Sequence, residues 1–331
     1  MKTFGIPLGS AAAVIALLAV IGCGESIVDD GTDGGTSTSE FTVLRVEDGL
    51  ADPTVTAILV DHLRGGIWCA TLNGVSFYSK ADSSLYSFGA EYDIPKMETT
   101  SLALDYLTGR VWLGTASGPA FFSDSTWTAL ADMDSLIHRY IASVAVTANG
   151  SVWFGTKGGA SVWEYLTGWT SYTTVSGLAG DNVTSIAFDA ANKVWVASSD
   201  GIGVFDGDVW KKYGATVLPS ASVNVVYRAF DGTMWCGTAA GITVYDGSKW
   251  SRYGTYDGLP SPGVNDIVED WNRKLWTATD SGVAGLDGGK WKKLDLPDSV
   301  ENERFLCVAA DVIDGILWIG TTNGLVKYDP K

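Results

Sequence analysis

Side chains suited to catalysis are scarce in this chain, and their spacing matches no reaction. Of 331 residues, two are histidine (His62 and His138) and four are cysteine. No H-E-x-x-H, C-x-x-C, phosphate-binding glycine loop or nucleophile elbow occurs. No catalytic residue, metal site or cofactor is therefore expected. Each lone histidine reads as a surface or hydrogen-bonded residue, with His62 in an exposed turn. One near-motif involves carboxylates: Asp29, Asp33, Gly34 and Glu40 fall at positions 1, 5, 6 and 12 of an EF-hand loop. Position 3 is Gly31, which offers no side-chain oxygen, and no helical pattern flanks the segment. The match is what low-complexity acidic sequence produces, not a calcium site. The net charge of −16, from 38 acidic and 22 basic residues, repels phosphate backbones and argues against a nucleic-acid partner.

Cys23 is the one cysteine whose context suggests chemistry. Residues 1–22 carry an N-terminal Lys2 and an apolar, alanine-rich run, the pattern of a signal peptide. Val20-Ile21-Gly22-Cys23 resembles the bacterial lipobox, with Val in place of the usual Leu. The resemblance implies lipidation of Cys23. A Gly-, Ser-, Thr- and Asp-rich tether over 23–40 then ties the domain to a membrane surface by lipid alone. Gly24 is not the Asp that marks inner-membrane retention, so the outer membrane is expected in a two-membrane host.

From residue 41 onward the chain is repetitive. Tryptophans at 68, 112, 153, 195, 235, 276 and 318 recur about every 42 residues. Each opens the pattern Trp-x-[Gly/Ala]-[Thr/Ser]-x-x-Gly, and only Ser198 departs from Thr. The Trp and the small residue share one face of a strand, while the residue between them is mostly apolar and faces the other way. Both faces are buried, as in a sheet stacked between two others. The glycine supplies the positive φ of a hairpin turn. An apolar run such as "VTSIAFD" (183–189) precedes each tryptophan, and a strand such as "GITVYDG" (241–247) and a Trp-led strand such as "KWSRY" (249–253) follow. Four strands per repeat, seven times, predict an all-β seven-bladed β-propeller over 41–331 with four antiparallel strands per blade.

Repeats such as "GLPSPGVNDIVEDWNRKLWTATDSGVAGLDGGKW" (258–291) are similar to the two-component regulator propeller repeats. That resemblance covers the whole domain. It implies an extracytoplasmic sensor-like propeller, in some members one that recognises glycans. This sequence carries no membrane span or kinase after Lys331, so the scaffold is expected here as a stand-alone lipoprotein without that signalling output. Streptogramin lyases share the architecture, but no histidine arrangement here supports their chemistry.

The best pocket of a propeller is the channel mouth, where outer-to-inner connections and second-to-third-strand turns emerge. The connections place Glu98, His138, Arg139, Tyr140, Asp181, Asn182, Asn224, Asn265, Glu303 and Arg304 there. This polar ring, with Tyr140 as a stacking platform, is the candidate site for a glycan or peptide. Twelve of the 14 tryptophans follow the blade pattern and read as core. Trp163 and Trp271 do not, and Trp271 is expected to be exposed. Cys69 and Cys236 sit at one repeat position in separated blades and cannot pair. A Cys69–Cys307 bridge is geometrically open, although buried free thiols suit both positions better.

The last repeat lacks an outermost strand. Residues 41–46 repeat the outer-strand spacing (Phe41-x-x-Leu44, as in Trp169-x-x-Tyr172) without a blade of their own. The N-terminal strand is therefore expected to complete blade seven and remove two open sheet edges. The sequence thus points to a monomeric, non-enzymatic, lipid-anchored binding module. The alternatives are a propeller lyase or hydrolase and a structural envelope protein.

Overall fold

The computed structural model describes residues 40–330 apart from 93, 95–97 and 132. Asp29, Asp33 and Cys23 thus lie outside the described residues. Seven four-stranded antiparallel sheets form the ring. The inner strands, which number the blades, are Val55–Asp61, Thr99–Leu104, Ile141–Val146, Val183–Phe188, Val223–Arg228, Val264–Glu269 and Phe305–Asp311. Each inner strand runs from the mouth towards the opposite face. The second strand, carrying the tryptophan, returns to the mouth.

The repeat pattern now has physical reasons. In all seven blades the motif hydroxyl donates to the glycine carbonyl across the turn, at 2.7 to 3.0 Å. The same oxygen accepts a turn N–H, as Thr238 does from Ala240 at 3.1 Å. A hydroxyl is required, and Ser198 supplies it as well as threonine does. The glycine must be glycine: at Gly159, φ is 135° and an added Cβ would stand 2.3 Å from the Tyr172 carbonyl. The small residue after each tryptophan makes room for the next blade. A Cβ at Gly237 would lie 2.5 Å from Val264 of the following inner strand.

Each tryptophan fills the seam between its own blade and the next. Trp68 packs against Phe122 and Trp127, Trp112 against Phe154 and Trp163, and Trp195 against Tyr245 and Trp250. The core is thus seven seam clusters, not one central mass. Trp163 belongs to one seam. Trp271 is not freely exposed, since its half-buried indole lies over Gly315 of the neighbouring blade.

A β-bulge follows the first residue of every inner strand. It turns the second side chain sideways, toward the next blade. Thr56, Thr100, Thr184, Asn224 and Asn265 each donate to the first carbonyl of the following inner strand, at 2.6 to 2.8 Å. In blade seven the Cys307 thiol approaches the Val55 carbonyl instead, at 3.7 Å. Cys69, Cys236 and Cys307 are buried free thiols. Burial pushes the thiols of Cys69 and Cys236 well above the ordinary cysteine range.

The N-terminal strand Phe41–Leu44 pairs with Gly324–Tyr328 and completes blade seven. Phe41 stacks on Tyr328 with ring centroids 4.8 Å apart, and Arg45 reaches the carbonyls of Asn323 and Ser299. Glu40, position 12 of the near-motif, is bound to Tyr328. Lys80 of blade one pairs with Asp311 and Asp314 of blade seven, which ties those two blades together at the far face.

Asp266 stands on the channel wall where blades three and four carry Ser143 and Ser185. Its carboxylate accepts the Val308 N–H at 2.9 Å. Burial pushes its pKa up to about 7 from 3.8, against the backbone hydrogen bonds from Val308 and Ile267. A carboxyl whose folded pKa exceeds its unfolded value contributes stability below about pH 4, and that contribution is lost as pH rises towards 7. Asp266→Asn should therefore match the parent in thermal melts at pH 4 and melt several degrees higher at pH 8. Equal melting temperatures at both pH values would count against this assignment.

Candidate binding site at the channel mouth

The ten residues predicted at the mouth divide into two groups. Asn224 and Asn265 are the bulge side chains that bind blade to blade, and their amides are engaged there. Asp181 folds back onto its own connection and accepts the N–H and hydroxyl of Thr174. Glu303 accepts from Thr322 and Asn323 of the neighbouring turn. Arg304 donates to Asp280 at 2.7 Å, and Asn265 shares that carboxylate at 3.2 Å. Burial opposes ionisation of Asp280. The hydrogen bonds and the guanidinium outweigh it and hold the carboxyl below its usual range. Asn224, Asn265 and the Arg304–Asp280 pair thus tie blades five to seven together, while Asp181 and Glu303 are held within their own blades.

Blades two to four differ. Tyr140 reaches across the seam from blade three, and its hydroxyl donates to Glu98 Oε1 at 3.3 Å. Lys157, in the second-to-third-strand turn of blade three, places its ammonium 3.6 Å from the Tyr140 ring centroid. Burial, then the charge of Glu98 and its hydrogen bond, raise the Tyr140 pKa. The phenol therefore remains a neutral donor at physiological pH. His138 accepts the Tyr140 N–H at 3.0 Å and is exposed, as are Arg139 and Asn182. Neither the Arg139 guanidinium nor the Asn182 amide has a partner among the described residues.

The arrangement offers an aromatic face, a carboxylate, two cations and an amide within adjacent blades. Such a set recognises a polar ligand by stacking and hydrogen bonds. Lys157 was not anticipated. It lies inside the turn pattern, where neighbouring blades have Ala116 and Ser199, so a lysine at that register was the available signal. His62 lies at the opposite end of the ring, with Nδ1 4.0 Å from Asp311. The two histidines therefore cannot act on one substrate.

No protein-family model matches the sequence, and no curated protein matches it. Solved structures do resemble it in fold. The extracellular domain of a hybrid two-component system protein from B. thetaiotaomicron superposes with TM-score 0.78 and 21% identity, over 88% of this chain and 41% of that one. A virginiamycin B lyase from Staphylococcus aureus gives TM-score 0.69 at 14% identity, over 87% and 98% of the two chains. PorZ, a surface component of the type-IX secretion system of Porphyromonas gingivalis, gives TM-score 0.69 at 16% identity, over 85% and 47%. The chain thus spans less than half the length of the first and last of these. What it shares with an extracellular two-component-system domain, a lyase and a secretion component is the β-propeller fold.

Proposed function

We propose that the protein is an extracytoplasmic recognition module that binds a glycan or peptide at the mouth of blades two to four. The observation that carries this reading is the asymmetry of the mouth. Blades five to seven engage their polar side chains within the ring, whereas in blades three and four His138, Arg139, Lys157 and Asn182 are exposed around the Tyr140–Glu98 pair. Separation of the two histidines favours binding over lyase or hydrolase chemistry. A glycan and peptide array tests the site. Hits should weaken at least tenfold when Arg139, Tyr140 and Lys157 are replaced together by alanine, and unchanged hits would remove the mouth from consideration.

A second reading, assembly with another envelope protein, has one observation in its favour. Leu63, Tyr106, Leu107 and Ile313 are exposed on the far-face turns of consecutive blades seven, one and two. An empty array would shift weight to that reading.

The localisation we propose is a lipid anchor on Cys23. No helix among the described residues is long and apolar enough to cross a membrane. The described chain enters blade seven at the far face, so a tether would leave the mouth free. Fatty-acid analogue labelling should be lost in Cys23→Ser, and labelling that survives would refute the anchor.

A further inference from the structure

The face opposite the mouth carries a cavity of about 570 Å³ between the turns of blades three and four, with Arg228 of blade five on its edge. Its origin lies in a break of the repeat. In blades one, four and six the motif indole donates to the aspartate ending the inner strand, at 2.9, 3.1 and 2.8 Å. In blade five Thr233 takes that place, at 2.8 Å. Blade three has Thr147 at the aspartate position, and its hydroxyl turns away to Asn149 and the Ser151 carbonyl. The Trp153 indole N–H is left without a partner among the described residues. Trp112 and Trp318 have enclosed indole nitrogens, whereas Trp153 is a lining residue of the cavity.

The rest of the lining has the same polarity. Arg228 is exposed and forms no ion pair or hydrogen bond among the described residues. The amide nitrogens of Asn149 and Asn192 are likewise unpartnered, while Asn149 Oδ1 already accepts from Thr147 and Ser151. The one carboxylate in the lining is occupied. Asp189 Oδ1 accepts the N–H groups of Ala191 and Lys193, and Oδ2 accepts Trp195 Nε1. Glu164, beyond the wall, is held by Ser151 and Thr167. The cavity therefore presents a cation and more open donors than acceptors, Asn192 Oδ1 being the amide oxygen left without a donor among the described residues, beside the apolar edge of Phe188.

A ligand matching that inventory is rich in acceptors, anionic and larger than a simple ion, because pockets of this size enclose small organic molecules. We propose that this cavity binds a small polyhydroxylated carboxylate. The carboxylate meets the Arg228 guanidinium, where two parallel N–H···O bonds fit. The hydroxyls accept from Trp153, Asn149 and Asn192, and the ligand's C–H face lies on Phe188. The site is independent of the mouth and stands on the other side of the ring.

Calorimetric titration of the full chain with D-glucuronate and with D-gluconate separates a cyclic acid sugar from an open-chain acid. D-glucose and acetate at matched ionic strength serve as comparators. At least one of the two carboxylates should bind saturably, with glucose and acetate at least tenfold weaker. Arg228→Ala alters an exposed side chain and should weaken binding at least tenfold. Trp153→Phe keeps a ring but removes the N–H and should weaken it several-fold. Absence of saturable binding by both acids, or wild-type binding by Arg228→Ala, would overturn the proposal. The mouth variant lacking Arg139, Tyr140 and Lys157 should bind as the parent does. Loss of binding there would transfer the ligand to the mouth and also overturn it.

Discussion

Deletion of residues 41–46 should abolish the cooperative unfolding transition of the propeller or lower its midpoint by more than about 15 °C. The strand contributes four paired residues against Gly324–Tyr328, the Phe41–Tyr328 stack, and the apolar contacts of Val43 and Leu44. It also carries Arg45 to two carbonyls on the mouth side. Partial burial of three apolar side chains amounts to about 3–5 kcal/mol, and backbone pairing adds about 1 kcal/mol per hydrogen bond. The sum, about 5–8 kcal/mol, is comparable to the whole stability of a typical domain. The loss falls on the one blade built from both the first and last strands of the chain, and it leaves the Gly324–Tyr328 edge open to other chains. Differential scanning calorimetry and light scattering test this directly. A deletion variant that scatters light as the parent does and melts within a few degrees of it would show that the clasp is dispensable.

The second large effect is expected at the turn hydroxyl. Thr238→Val keeps the shape of a fully buried side chain but removes its oxygen. The Gly241 carbonyl then loses its donor and the Ala240 N–H its acceptor. Leaving both groups without these partners should cost about 2–4 kcal/mol. For a domain of this size that corresponds to about 5–10 °C in Tm. Thr238→Ser retains the oxygen and drops one methyl group, a loss of about 1 kcal/mol. The comparison isolates the hydroxyl from packing, and the chain has made the same change at Ser198. Chemical denaturation of both variants checks it. If Val and Ser prove equally mild, the motif threonine is there for packing.

The blade count, the strand pattern and the clasp were all legible in the sequence, because each depends on contacts close in the chain or on a period repeated seven times. The Trp-x-[Gly/Ala]-[Thr/Ser]-x-x-Gly unit folds against its own hairpin, so its hydrogen bonds join residues three apart. The mouth was legible only as a location. Asn224, Asn265 and Glu98 look alike in sequence, being polar residues near the start of inner strands. The bulge turns the two asparagines into ties between blades and leaves Glu98 to meet Tyr140. Trp271 was misplaced for the same reason, since the surface it covers belongs to the next blade.

The far-face cavity depended most on tertiary structure. Its parts come from three blades, and the relevant feature is a missing partner for Trp153, which only the path of Thr147 reveals. The sequence by itself determined the ring, because local hydrogen bonds and burial periodicity repeat without reference to neighbours. Tertiary structure alone decided which polar groups close a seam and which remain open to a ligand. Those outcomes rest on contacts between residues about 40 positions apart, across seams whose geometry no single repeat encodes.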